Sequence, residues 1–98
     1  MPDVRALAAA YGVRIEFADL GDWGTATVVA EYDPRGPLIR LNLRALRPDG
    51  DPVARRAIDH AIAHELYHHR EAIGDIVRLR VHRARERAAD AFAESVVS

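Results

Sequence analysis

The sequence predicts a small single-domain α+β protein, with one helix, a three-stranded sheet and then a helical hairpin. Its 98 residues suffice for one hydrophobic core but not for two, so one domain is expected over residues 1–98. The first half alternates β-branched runs with turn residues, as in "TATVVAEYDPRGPLIRLNL". The second half, from "DPVARRAIDH" onward, has helical periodicity.

Caps and alternation define the first elements. Asp3 can cap a short helix through "VRALAAAY" that stops at Gly12. Residues 13–17, "VRIEF", alternate apolar and polar side chains as a half-buried strand does. The loop "ADLGDWG" follows, and Trp23 within it is interpreted as a cover over the sheet rather than a substrate contact.

A hairpin is predicted next. Residues 25–32 are rich in β-branched side chains, and "DPRG" at positions 33–36 has the chemistry of a tight turn. The chain then returns as "PLIRLNL", residues 37–43, which predicts a strand antiparallel to the preceding one.

Two long helices are predicted in the second half. Asp51 followed by proline is a good helix start, and the first helix is expected to run over about residues 52–72. Gly74 can take a positive φ and end it, and Asp75 can then cap a second helix. The apolar back of the first helix is predicted to consist of Ile58, Ile62, Leu66 and Ile73.

Composition excludes several classes of function. The chain has no cysteine, which removes disulfides, thiol catalysis and thiolate metal sites together. Its formal charge of -1 argues against a direct nucleic-acid partner, because there is no basic excess to neutralise phosphates. No apolar run reaches the length of a membrane span, and the acidic start is not that of a signal peptide. A cytoplasmic location with no membrane partner is expected.

The stretch "HELYHH" predicts a metal site. His64 and His68 are four residues apart, so a helix presents both imidazoles on one face, as zinc requires of two ligands on one helix. Glu65 flanks the same cleft, where it can reach a water molecule without ligating the metal. The alternative is a histidine-rich helix face that matches the pattern by accident and binds nothing.

The stretch "ERAAD" supplies a third ligand. Glu86 and Asp90 lie four residues apart, on one face of the second predicted helix. Each helical residue advances roughly 1.5 Å along the helix axis. Counted back from a hairpin turn near Gly74, Glu86 therefore lies at about the same height along the helix pair as His64. Asp90, one turn further on, is suited to accept the outer N–H of a ligating imidazole, His64 above all. By themselves the two acids would be an ordinary solvated face, and their combination with HExxH favours the metal site.

Other polar residues near the motif have weaker assignments. His60 is interpreted as a polar residue at the rim, with a second-shell or spare-ligand role as the alternative. His69 points away from the ligand histidines and is expected at the surface. His82 precedes Glu86 by one turn and is a candidate oxyanion stabiliser, against a plain exposed position. Glu71 lies too far along the helix to converge with both imidazoles.

The motifs "RRAIDHAIAHELYHH" and "ERAADAFAESVV" resemble the ImmA/IrrE family of gluzincin metallopeptidases, which has a similar "AHELxH" and "ExxADxFA" signature. The resemblance implies a minimal zincin-like fold and one Zn²⁺ held by His64, His68 and Glu86, with Glu65 as general base. It also implies a helix-turn-helix repressor as substrate. Two departures stand out: His60 occupies a region where an aromatic residue is usual, and with eight residues after Asp90 no C-terminal sensor domain is expected.

Two functions are therefore compared. The first is a zinc-dependent endopeptidase, and the second is a catalytically silent zincin-like module that binds metal or a partner protein. Glu65 favours the enzyme, because a structural metal site has no need of a base. A metal-dependent nuclease is weaker because a basic surface is missing.

A peptidase must hold its substrate extended, and an exposed strand edge does so through main-chain hydrogen bonds. The strand "PLIRLNL" is expected to be that edge, with Pro37 at its start. The alternative is that this strand lies in the centre of the sheet.

Overall fold

A computed structural model describes residues 3–21, 29–48 and 50–97 of the chain. In this part of the chain the elements are α1 (Val4–Ala10), β1 (Arg14–Ala18), β2 (Ala30–Asp33), β3 (Leu38–Asn42), α2 (Pro52–Ala72) and α3 (His82–Val96). The predicted α+β class is confirmed, with three helices and a three-stranded mixed sheet among the described residues. The predicted strand residues 25–28, and Trp23 as a cover over the sheet, lie outside the described residues.

Strand β3 lies in the centre of the sheet. It pairs in parallel with β1 on one side and antiparallel with β2 on the other. The predicted β2–β3 hairpin is thus confirmed, whereas the expectation that "PLIRLNL" forms an exposed edge is wrong. The environment of β3 agrees with this central place, since every residue of the strand except Arg40 is buried. The Arg40 guanidinium pairs with Glu16 of β1 and with Glu31 of β2, one on each side.

The core lies between the sheet and α2. Ile39 and Leu41 project from the inner face of β3 and are fully buried. They belong to one apolar cluster with a stripe of α2 residues spaced three or four apart, which places them on one helix face. The fully buried large residues of that stripe are Ile58, Ile62 and Leu66. Helix α1 adds Val4 and Ala8 to the same cluster.

Helix α2 begins as predicted. The Asp51 side chain accepts a hydrogen bond from the Ala54 N–H at 3.0 Å, and Pro52 occupies the first helical turn. Shortly after the helix ends, Gly74 has a φ of 78°, a conformation that favours glycine. None of the described helices combines the length and apolarity needed to cross a membrane.

Helix α3 begins later than predicted. Asp75 does not cap it: its carboxylate instead accepts hydrogen bonds from the Tyr11 hydroxyl at 2.9 Å and from Arg70 Nε at 2.8 Å. Residues 73–81 form the connection between α2 and α3. Part of the reason is composition, since this connection contains the β-branched residues Ile76, Val77 and Val81, which lose side-chain freedom in a helix.

Candidate metal centre

Helices α2 and α3 form an antiparallel pair. Their contacts run in opposite directions along the two helices: His60 with Glu94, His64 with Asp90, and Glu71 with Arg85. Two alanines of α3, Ala89 and Ala93, are fully buried, and such small side chains allow two helices to approach closely. The pairing therefore sets the carboxylates of α3 against the histidine-bearing face of α2.

Three side chains converge on one point. His64 Nε2 lies 2.7 Å from Glu86 Oε2 and 3.3 Å from His68 Nε2, and His68 Nε2 lies 3.4 Å from Glu86 Oε1. One ligand atom of each residue lies within 4.8 Å of the other two. A tetrahedral zinc ion with bonds of about 2.0–2.1 Å has its ligand atoms about 3.3–3.4 Å apart. The His64–His68 separation and the separation of His68 Nε2 from Glu86 Oε1 match that spacing, whereas His64 Nε2 lies at hydrogen-bond length from the other Glu86 oxygen, Oε2.

The hydrogen bonds around the two imidazoles leave acceptors facing one another. His64 Nδ1 lies 2.7 Å from Asp90 Oδ1, and His68 Nδ1 lies 2.7 Å from Glu71 Oε1. An ionised carboxylate only accepts, so each Nδ1 carries a hydrogen and each neutral ring has a bare Nε2 lone pair. When both rings are neutral, the two lone pairs and the Glu86 carboxylate meet without a hydrogen between them. The 2.7 Å between His64 Nε2 and Glu86 Oε2 is the hydrogen-bond length expected when His64 carries a second proton. A cation satisfies all three, so the donor set fits a divalent metal.

The surroundings of His64 favour positive charge. Burial lowers its pKa, but the hydrogen bond that His64 donates to Asp90 and the nearby carboxylates of Glu65 and Glu86 outweigh that effect, and the pKa of His64 is raised. The carboxylates would stabilise a metal ion in the same way as they stabilise a proton on the ring. The electrostatics and the geometry around His64 therefore both favour a cation at this position.

Glu65 lies beside the three converging residues and is half-buried. Burial raises its pKa to about 7, with Glu86 and Glu31 acting in the same direction and the two histidines opposing it. A carboxyl group with a pKa near neutrality can both accept and return a proton at physiological pH. The position and the environment of Glu65 therefore suit a general base.

A cleft of about 610 Å³ opens next to these residues. His64, Glu65 and Asp90 form its polar side. The remaining lining is mainly apolar and comes from Val29, Ala30, Ala45, Leu46, Ala57, His60 and Ala61. Strand β2 thus borders the cleft at its first residue, which places a sheet edge near Glu65.

Two further histidines lie at the margin of the site. His60 Nε2 pairs with Glu94 Oε1 at 3.3 Å across the two helices, consistent with a polar residue at the rim. His82 is the first residue of α3, with 80% of its side chain exposed, and its Nε2 lies 3.8 Å from Glu86 Oε1. His82 therefore borders a ligand carboxylate without being buried, and a role as oxyanion stabiliser stays a prediction.

The expectation that His69 lies at the surface is wrong. His69 is only 4% exposed, and its Nδ1 lies 2.7 Å from the Tyr32 hydroxyl. It continues the buried stripe of α2, three residues after Leu66, and so it takes the position predicted for Ile73. Ile73 lies beyond the end of α2 and is 54% exposed.

Glu71 is the residue that sequence reasoning missed. It does not converge on the ligand point, as expected, but its carboxylate reaches His68 Nδ1 from one turn away. It also accepts two hydrogen bonds from Arg85 of α3, both at 3.1 Å. The spacing of three residues between His68 and Glu71 was a usable signal, since such pairs are neighbours on a helix.

No protein family, curated protein or solved structure was found that matches this chain. The resemblance to the ImmA/IrrE family therefore rests on the motif residues alone. The geometry stands independently of it: two imidazoles and one carboxylate converge and could hold a metal ion, and three protein ligands of these types are the number that leaves a fourth zinc position open in catalytic sites.

In the metal-free protein, Glu65→Gln is expected to stabilise the fold above pH 7. The folded-state pKa of about 7 exceeds the ordinary 4.5, so between these values the folded chain holds a proton that the unfolded chain has lost. The free energy of unfolding of the wild type therefore falls as pH rises through this window. Above it the charge costs on the order of 3 kcal/mol, which the neutral amide avoids.

Denaturant unfolding of both proteins in the presence of a chelator, at pH 4 and pH 8, measures this effect. The stability difference between variant and wild type should shift in favour of the variant at pH 8. An equal difference at the two pH values would contradict the buried-charge explanation.

Proposed function

We propose that this chain is a zinc-dependent endopeptidase with a zincin-like fold of the minimal gluzincin type, acting in the cytoplasm. The observation that carries the proposal is the convergence of His64, His68 and Glu86 on one point, with the half-buried Glu65 beside it. Two imidazoles and a carboxylate are the protein ligands of a well-known class of catalytic zinc sites in peptidases. One Zn²⁺ per chain is proposed.

Zinc held by these residues would supply Lewis acidity and lower the pKa of a coordinated water molecule towards neutrality. The Glu65 carboxylate would take a proton from water in the cleft and later return it to the leaving amine. Asp90 would orient the His64 imidazole through its Nδ1 atom, so that its Nε2 faces the ligand point. His82, at the exposed margin near Glu86, is proposed to stabilise the oxyanion.

The burial of Glu65 favours an enzyme over a catalytically silent module. An ionisable group with a pKa raised to about 7 is unfavourable for stability when it is charged, and a metal site that serves folding gains nothing from it. The silent module, which binds metal or a partner protein without hydrolysis, remains the second candidate. It differs in one measurable respect, namely zinc binding without cleavage of any peptide bond.

Substrate is proposed to add to β2 rather than to the central strand β3. Asn42 N–H donates to the Val29 carbonyl at 2.9 Å, and bonded residues alternate along an antiparallel pair. The main-chain groups of Ala30 and Tyr32 therefore point away from β3. Among the described strands β2 is an edge, and Ala30 lines the cleft beside Glu65. An extended peptide paired there would pass the ligand point.

Proline substitutions at neighbouring positions of β2 test this docking edge. Ala30→Pro removes an outward N–H, and a lost neutral hydrogen bond is expected to raise KM by about two- to ten-fold. Glu31→Pro is the matched control, because the same alternation directs the Glu31 N–H towards β3, and its loss should destabilise the sheet instead. Both variants are first checked for folding and zinc content. A folded Ala30→Pro variant with wild-type KM would exclude β2 as the docking edge.

The function itself is tested by incubating zinc-loaded protein with unfolded polypeptides and with helix-turn-helix repressors, which the family resemblance indicates as substrates. Mass spectrometry of new N-termini detects cleavage. Chelation should abolish cleavage, and added zinc should restore it. A protein that binds one zinc and cleaves none of these substrates would be the silent module.

A further inference from the structure

The two ligand histidines are held by carboxylates in different environments. Asp90, which contacts His64 Nδ1, is on the outer side of α3 with 58% of its side chain exposed. Glu71, which contacts His68 Nδ1 at the same distance of 2.7 Å, has only 1% of its side chain exposed. A charge-assisted hydrogen bond shielded from water is stronger than an exposed one, so His68 is the more tightly held ring.

Arg85 of α3 fixes Glu71 in turn. Its Nη2 donates to Glu71 Oε1 and its Nε donates to Glu71 Oε2, both at 3.1 Å. This two-pronged contact restricts the carboxylate plane, which a single contact would not. Glu71 Oε1 therefore receives both His68 and Arg85, while Oε2 receives Arg85 alone.

The ion pair between Glu71 and Arg85 connects α2 and α3 at the level of the proposed ligands. Arg85 directly precedes Glu86, and Glu71 follows His68 by one turn of α2. The Glu71–Arg85 contact thus couples the orientation of the His68 ring to the position of the Glu86 carboxylate.

We propose, on the basis of the metal centre proposed above, that Glu71 is a positioning residue for that centre. Its carboxylate accepts the His68 Nδ1–H and thereby selects the tautomer whose Nε2 is free for the metal. Arg85 holds the carboxylate in the required orientation. Because Glu71 is buried and doubly held while Asp90 is exposed, Glu71 contributes more to zinc retention than Asp90 does.

Zinc affinity, measured by competition with a chromophoric chelator, tests the proposal. Glu71→Leu removes both contacts and is expected to weaken zinc binding by about 10–100-fold, and by more than Asp90→Ala does in the same assay. Glu71→Gln keeps an amide oxygen for His68 but loses one contact with Arg85, so it should restore part of the affinity. Asp75→Asn is the matched control, since that carboxylate accepts from Arg70 Nε at 2.8 Å and touches no ligand histidine. It should bind zinc as the wild type does.

The absorption spectrum of the Co²⁺-substituted proteins is a second measurement. It would not change in the variants if Glu71 and Arg85 had only a structural role. Glu71→Leu and Arg85→Met should change the intensity or position of the ligand-field bands, and Asp75→Asn should not. Arg85→Met keeps the His68–Glu71 pair, so it serves if Glu71→Leu fails to fold. Wild-type affinity and spectrum in the folded Glu71 and Arg85 variants would overturn the proposal.

Peptide hydrolysis by the wild type is measured in the same series. Zinc binding without hydrolysis would contradict the endopeptidase function, while the zinc affinities and Co²⁺ spectra of the variants would still decide the role of Glu71. A wild-type protein that binds no zinc would overturn both proposals.

Discussion

Glu65→Gln is expected to abolish peptide hydrolysis while the protein stays folded and keeps its zinc. The amide has nearly the shape of the carboxylate but cannot accept a proton from water, and a general base contributes about 10²–10⁴-fold to the rate. The substitution leaves the three proposed ligands, His64, His68 and Glu86, in place. The measurement is kcat/KM on a cleaved peptide, together with zinc content by metal analysis.

A second Glu→Gln substitution controls for the removal of a negative charge near the cleft. Glu94 pairs with His60 at the rim, and in the described part of the chain it forms no ion pair with any of the three proposed ligands. Glu94→Gln should therefore retain most of the activity. If Glu65→Gln cleaves substrate as fast as the wild type, Glu65 is not the base.

Removal of a single ligand is expected to cause the second large effect. The purified wild type should hold one zinc per chain, and His64→Ala and Glu86→Ala should lose it or bind it far more weakly. The reason is that two ligands remain where a zinc site of this kind needs three from the protein. Asp90→Ala should be milder, with an effect on the order of 10–100-fold on metal affinity or activity, because Asp90 acts only through the His64 ring.

Thermal unfolding gives an independent measure of the same ligands. A metal that binds only the folded chain stabilises it by about 2.7 kcal/mol at a free concentration one hundred times its Kd. Zinc should therefore raise the Tm of the wild type but not that of His64→Ala or Glu86→Ala. Glu94→Ala, one turn beyond Asp90 on the same helix, is the control and should respond as the wild type does. Full zinc content in both ligand variants would refute the assignment.

Local features of this chain could be predicted from its sequence because their causes are local. The alignment of His64 and His68 follows from the helical repeat alone. The start of α2 follows from Asp51 and Pro52, whose side chains act on the first turn of the same helix. The antiparallel pair of β2 and β3 follows from a turn of four residues between them.

The start of α3 was not predictable in the same way. Aspartate is a favoured residue at helix starts, but the Asp75 carboxylate accepts hydrogen bonds from Tyr11, just after α1, and from Arg70 of α2. A cap prediction considers only the residues that follow in the chain. Arg70 lies only five residues before Asp75, but the competing Tyr11 hydroxyl is 64 residues away and reaches Asp75 only when the chain is folded.

The sequence by itself determined the α+β class, the pair of histidines on one helix face and the two acids on the next helix. The tertiary structure decided which distant residues contact those local features. The central place of β3 depends on parallel pairing with β1, which lies more than twenty residues earlier and leaves no local signal. The burial of His69 and Glu71 depends on the neighbours that pack against α2, Tyr32 of the sheet and Arg85 of α3. Burial is a property of the surfaces that meet, so these two side chains acquire their environments only when the distant parts of the chain come together.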